Sequence, residues 1–135
     1  MAVLDIRVLG DPILRERTEP LPVVTGVVQA LISDMFETMR AAKGIGLAAP
    51  QIGRPERLTV IDVDGAEFVL INPEIVDRQG SDKAEEGCLS IPDVYADVER
   101  ATRVVVRAID REGKPFEVEA TDLLARCMQH EIDHL

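Results

Sequence analysis

Leu58-Thr59-Val60-Ile61-Asp62-Val63-Asp64-Gly65-Ala66-Glu67-Phe68-Val69-Leu70-Ile71 is the stretch that decides the fold class. Two apolar runs rich in β-branched residues, 58–63 and 67–71, flank Asp64-Gly65, a pair suited to a two-residue hairpin turn. Antiparallel pairing follows. A second pair, residues 103–109 and 116–118, brackets Asp110-Arg111-Glu112-Gly113 in the same way. Upstream, Val27, Val28, Leu31, Ile32, Met35, Phe36 and Met39 recur at three- and four-residue steps, the period of one buried helix face. This predicts a helix over 25–43, with Thr25 as N-cap and Gly44 as its C-terminal stop. Pro12, Pro20 and Pro22 break the preceding segment into short pieces that wrap the core. Downstream, residues 121–135 read as a helix with Thr121 as N-cap and Leu123, Leu124, Cys127, Met128 and Ile132 on or near its inner side. The order predicts an α+β fold: antiparallel β-sheets packed around a C-terminal helix, with one long N-terminal helix. Length predicts a single domain over residues 1–135.

Composition narrows the function classes. The net charge of −10 opposes nucleic-acid binding, which needs clustered Lys and Arg, and three Phe, one Tyr and no Trp leave little for base stacking. No run of eighteen apolar residues predicts a membrane span, and Met1-Ala2-Val3-Leu4-Asp5-Ile6-Arg7 does not resemble an export signal. Cys88 and Cys127 form no disulfide framework, so the expected setting is reducing and cytoplasmic.

His130-Glu131-Ile132-Asp133-His134 is an HExxH motif on the predicted C-terminal helix. Residues four apart on a helix differ by about 40° around the axis and about 6 Å along it, so both imidazoles can reach one ion. Glu131 lies about 100° round from His130, where a general base can face a metal-bound water without ligating the metal. The bland reading is a surface helix end on which these residues coincide. A catalytic site usually has three protein ligands and one open position, so a third ligand must come from elsewhere. Cys127 lies about 10 Å along the axis from His134 and reads better as a small core residue. Cys88, in Glu85-Glu86-Gly87-Cys88-Leu89-Ser90-Ile91-Pro92, occupies an irregular loop or strand end suited to presenting a thiolate; a buried thiol is the alternative.

Gly44-Ile45-Gly46-Leu47-Ala48-Ala49-Pro50-Gln51-Ile52-Gly53 satisfies the dinucleotide pattern GxGxxA. It follows a helix instead of a strand, however, and Pro50 stands where a helix should continue. By spacing alone it is a closely packed helix exit, with Gln51 an ordinary turn residue.

Together, Gly44-Ile45-Gly46-Leu47-Ala48-Ala49-Pro50-Gln51, Glu86-Gly87-Cys88-Leu89-Ser90 and Gln129-His130-Glu131-Ile132-Asp133-His134 resemble the three motifs of the peptide deformylase family, in the family's order. The resemblance covers nearly the whole chain, including Val8-Leu9-Gly10-Asp11-Pro12-Ile13-Leu14. It implies hydrolytic removal of the formyl group from N-terminal formyl-methionine of new proteins, releasing formate. It assigns Cys88, His130 and His134 as ligands to Fe2+, with Zn2+, Ni2+ or Co2+ as substitutes. It makes Glu131 the proton carrier and places the Gln51 amide and Leu89 N–H at the oxyanion. It lays Gly44, Ile45 and Gly46 along the peptide as a strand-like edge, with Ile45, Leu123 and Cys127 around the methionine side chain. Glu86 and Arg100 resemble a charge pair bracing the site, against the alternative of a solvated pair of little energy.

Two departures stand out. Tyr95 occupies a position where many bacterial relatives have arginine. Typical members also continue past the second histidine into a C-terminal helix associated with ribosome docking, whereas this sequence stops at Leu135, either as a naturally short form, for which the resemblance implies weak docking, or as a piece of a longer protein. A zinc protease would use the same HExxH but gives no reason for Cys88 and Gln51. A non-enzymatic binder of formylated N-termini, or a structural metal site, would show closed coordination.

Overall fold

The turn at Asp64-Gly65 forms as the sequence predicts, with φ of +52° and +84°. That left-handed pair matches the twist of the strands it joins. The computed structural model describes Ile6, residues 24–88 and residues 91–135, apart from the side chains of Glu85, Cys88 and residues 91–97. Residues 8–14, Leu89 and the Tyr95 side chain therefore lie outside the described residues. In chain order the elements are α1 (Gly26–Ala41), β1 (Gly46–Ala48), a 3-10 helix (Ala49–Ile52), β2 (Leu58–Val63), β3 (Ala66–Gln79), β4 (Asp82–Cys88), β5 (Ile91–Arg100), β6 (Arg103–Ile109), β7 (Pro115–Thr121) and α2 (Asp122–Asp133).

The strands form a five-stranded antiparallel sheet in the order β1-β2-β3-β6-β7 and a separate two-stranded ribbon, β4-β5. Both faces of the larger sheet are covered. Leu58, Val60 and Ile71 pack with Val28, Leu31, Ile32, Met35, Phe36 and Met39 of α1. Ile61, Val63, Leu70, Val104 and Val106 pack with Ala125, Cys127 and Met128 of α2. That is why β2 reads as an apolar run without alternation: successive side chains enter opposite cores. Each large apolar side chain so buried contributes about 1.5–3 kcal/mol, against about 1 kcal/mol for a typical cap.

Several local expectations are corrected. Val27 is 72% exposed, so α1's inner face starts at Val28. The helix ends at Ala41, three residues before the predicted glycine, and Lys43 takes the left-handed turn at φ +58°, its N–H bonding Arg40 O at 3.0 Å. The Gly44 N–H then reaches Met39 O at 2.9 Å, completing a Schellman motif. β3 runs beyond Ile71 to Gln79. Asn72 at φ +52° and Pro73, which has no N–H to donate, are absorbed in a register shift between Ile71 and Glu74. Thr121 occupies the N-cap position of α2 without a side-chain cap bond, because it is still paired with Arg103 in β7 and Asp122 turns at φ +53°. Leu123 is 50% exposed and not on the inner side of α2.

Candidate metal centre

α2 places His130 and His134 one turn apart, with their Nε2 atoms facing each other at 3.3 Å. Two imidazole nitrogens sharing one tetrahedral ion at about 2.0–2.1 Å stand about 3.3–3.4 Å apart, so the pair fits one cation. A carboxylate oxygen of Glu131 joins them in a group whose ligand-type atoms all lie within 4.8 Å of one another. Glu131 Oε1 is 3.9 Å from His130 Nε2, and its side chain is buried.

The far side of His130 is fixed by Glu86 of β4, whose Oε1 is 2.8 Å from Nδ1. A hydrogen bond from Nδ1–H leaves the Nε2 lone pair facing the site, as a metal ligand requires. Glu86 is no solvated partner: its side chain is 8% exposed and it receives both Nε and a terminal nitrogen of Arg100, at 3.2 and 3.1 Å. Burial would raise its pKa, but hydrogen bonds from Arg100, His130 and Arg126 outweigh that and hold it at about 2. Arg100 also bonds Asp133 on α2.

Cys88 is the last residue of β4, with a register shift between Gly87 and Cys88. The expectation of a strand end is met in its backbone; its side chain is outside the described residues, as is Leu89. Cys127 is a buried free thiol whose Sγ lies 3.7 Å from Ile45 O. Burial, then the charges of Glu131 and Glu86, push its pKa well above the usual thiol range, which suits a core residue and not a thiolate ligand.

Gln51 lies on the 3-10 helix, 1% exposed, and is no ordinary turn residue. Its Oε1 accepts the Ala48 N–H at 2.9 Å, which orients the amide. β1 is an edge strand of the larger sheet, with Ile45 exposed just before it. At Gly46 a Cβ would lie 2.8 Å from Glu131 Cγ and 3.0 Å from Cys127 Sγ, so only glycine lets β1 approach α2 this closely.

Two site residues received no role from the sequence, although Gln129 stands in the quoted motif. Gln129 bonds Ala101 on both its N–H and its C=O, at 2.9 and 2.8 Å, tying α2 to the turn between β5 and β6. Arg126 bonds Glu86 at 2.5 Å, Val98 O at 2.9 Å and Asp82 O at 2.8 Å. The one available signal was position: Arg126 precedes His130 by four residues and so shares its helix face.

The fold and this site define a metal-dependent hydrolase of the HExxH kind. The family model described as polypeptide deformylase matches residues 3–135. A peptide deformylase of Alkalilimnicola ehrlichii is 55% identical over 139 residues, covering all of this chain and 78% of its own. One of Heliobacterium modesticaldum is 52% identical, covering all of this chain and 89% of its own. The crystal structure of a peptide deformylase from Legionella pneumophila superposes with a TM-score of 0.96 at 51% identity, over 98% of this chain and 80% of that one. That of Synechococcus elongatus, in complex with actinonin, gives 0.95 at 47% identity, over 98% and 73%. The chain belongs to the polypeptide deformylase family.

Proposed function

We propose that this chain, acting as one catalytic unit, hydrolyses the formamide bond at the N-terminus of formyl-methionyl peptides of newly made proteins. The products are formate and a free amine. The observation that carries the site reading is the convergence of His130 and His134 on one point beside the buried Glu131.

His130, His134 and Cys88 would hold the cation, which supplies Lewis acidity and a water of lowered pKa when bound. Glu131 takes the proton from the attacking water and returns it to the departing amine as the C–N bond breaks. The negative charge on the former carbonyl oxygen is met by the Gln51 amide, oriented from Ala48, and by the Leu89 N–H. Gly44, Ile45 and Gly46 offer an edge to an extended peptide, whose backbone bonds tolerate varied sequence. Ile45, Leu123 and Cys127 surround the methionine side chain. Fe2+ is the expected ion, and Zn2+, Ni2+ or Co2+ suit the same thiolate and imidazoles.

Among the described residues no helix is long and apolar enough to cross a membrane. Deformylation of nascent chains places the reaction in the cytoplasm, and the charge of −10 gives no basis for direct nucleic-acid binding. The test is formate release from a formyl-Met peptide by anaerobically prepared protein. Glu131→Gln is expected to lose about 10²–10⁴-fold in kcat with its metal retained. Wild-type protein that carries its metal and releases no formate would refute the reading.

A further inference from the structure

The candidate centre is assembled from two pieces of the fold. His130 and Glu131 lie on α2 and His134 caps its end, whereas Glu86 and Cys88 lie on the β4-β5 ribbon, which among the described residues shares no ladder with the larger sheet. Something must keep the strand end carrying Cys88 in line with the two imidazoles. Arg126 reaches across this junction. One nitrogen of its guanidinium bonds Glu86 Oε2 and the Val98 carbonyl on β5; the other bonds the Asp82 carbonyl on β4. Its side chain is largely buried.

We propose that Arg126 is a positioning residue that clamps both strands of the ribbon to α2 and thereby sets the alignment of Cys88 with His130 and His134. The inference rests on the metal-site reading above. Arg100 crosses the same junction but, among the described residues, binds only the carboxylates of Glu86 and Asp133. Arg126 alone among the pair grips main-chain carbonyls, one on each strand, and so fixes the backbone as well as a side chain. A planar fork with donors in two directions can do this; a lysine ammonium on its flexible stem can keep the Glu86 pair without spanning both carbonyls.

The experiment compares wild type, Arg126→Lys and Arg126→Met. The readouts are chelator-driven release of Ni2+ from the loaded proteins, the thiolate absorption band of the Co2+-loaded forms, and circular dichroism. Arg126→Met is expected to release Ni2+ about 10- to 100-fold faster, the range seen when an outer partner of a metal ligand is lost. Its Co2+–thiolate band should weaken, and Arg126→Lys should fall between. A general loss of stability would not alter that band at metal saturation. Release rates within twofold of wild type and an unchanged band would overturn the clamp. If Arg126→Met does not fold, a lysine variant indistinguishable from wild type does the same. A wild type that takes up no stoichiometric Ni2+ overturns the metal-site reading and the clamp together.

Discussion

Gly46 shows how closely a single residue can bind fold to chemistry. A methyl group there would press on Glu131 Cγ at 2.8 Å and Cys127 Sγ at 3.0 Å, so the proton carrier itself has to move. Gly46→Ala is expected to cost about 1–3 kcal/mol of stability, as overpacking does. Displacing Glu131 by about 1 Å can cost up to about 10²-fold in rate. Urea midpoints and formate release, measured side by side, separate the two effects; an alanine variant matching wild type in both would contradict this packing. Cys127 gives a second residue-scale prediction. Because burial holds it as a neutral thiol, iodoacetamide at pH 8 should leave it unmodified in the native protein and alkylate it once unfolded, read by peptide mass. Of the site residues, His130, Glu131 and His134 were legible from spacing alone, because one helical turn contains their geometry. Cys88 and Gln51 were ambiguous by spacing and acquired roles only through the family resemblance. Arg126 offered only its position on the His130 face of the helix, since its partners Asp82 and Val98 are 44 and 28 residues away.

Among the elements, the two helices differ in how they are capped. Thr25 Oγ1 accepts the Val28 N–H at 3.3 Å, whereas Thr121 makes no such bond. Thr25→Ala should therefore cost about 1 kcal/mol and Thr121→Ala much less through capping, a difference visible in denaturant midpoints. At the other end of α1, Lys43 bears the left-handed turn. That conformation costs a non-glycine residue about 1–2 kcal/mol, while glycine loses about 0.5–1 kcal/mol more chain entropy on folding. Lys43→Gly is expected to stabilise the protein by about 0.5–1 kcal/mol, seen as a rise of a few degrees in Tm. An unchanged or lower Tm would count against the Schellman assignment. The helix itself was plain from its apolar period; its last residue was not, because Lys43 and Gly44 differ in cost by less than packing supplies. The apolar run of β3 ends at Ile71, yet the strand goes on to Gln79. Its continuation depends on β6 pairing with it across the register shift.

At the scale of the whole molecule, Glu86 joins the ribbon to α2 through Arg100, Arg126 and His130. Its pKa is held at about 2, below the ordinary 4.5. A depressed carboxylate stabilises the fold above its unfolded pKa and loses that contribution as pH falls through the folded value. The stability advantage of metal-free wild type over Glu86→Gln should therefore be full above pH 4.5 and shrink toward pH 2. Denaturant unfolding at pH 6 and pH 3 checks this; an equal gap at both would contradict it. Fold class, both hairpin turns, the helical periods and the HExxH face were determined by the sequence itself, because each depends on residues within a turn or two of one another. The tertiary structure alone decided that both faces of the sheet are covered, that the ribbon stands apart, and that Glu86 and Arg126 meet beside His130. These depend on contacts between residues some 40 positions apart, whose partners are chosen by packing and charge in space and leave no period in the chain.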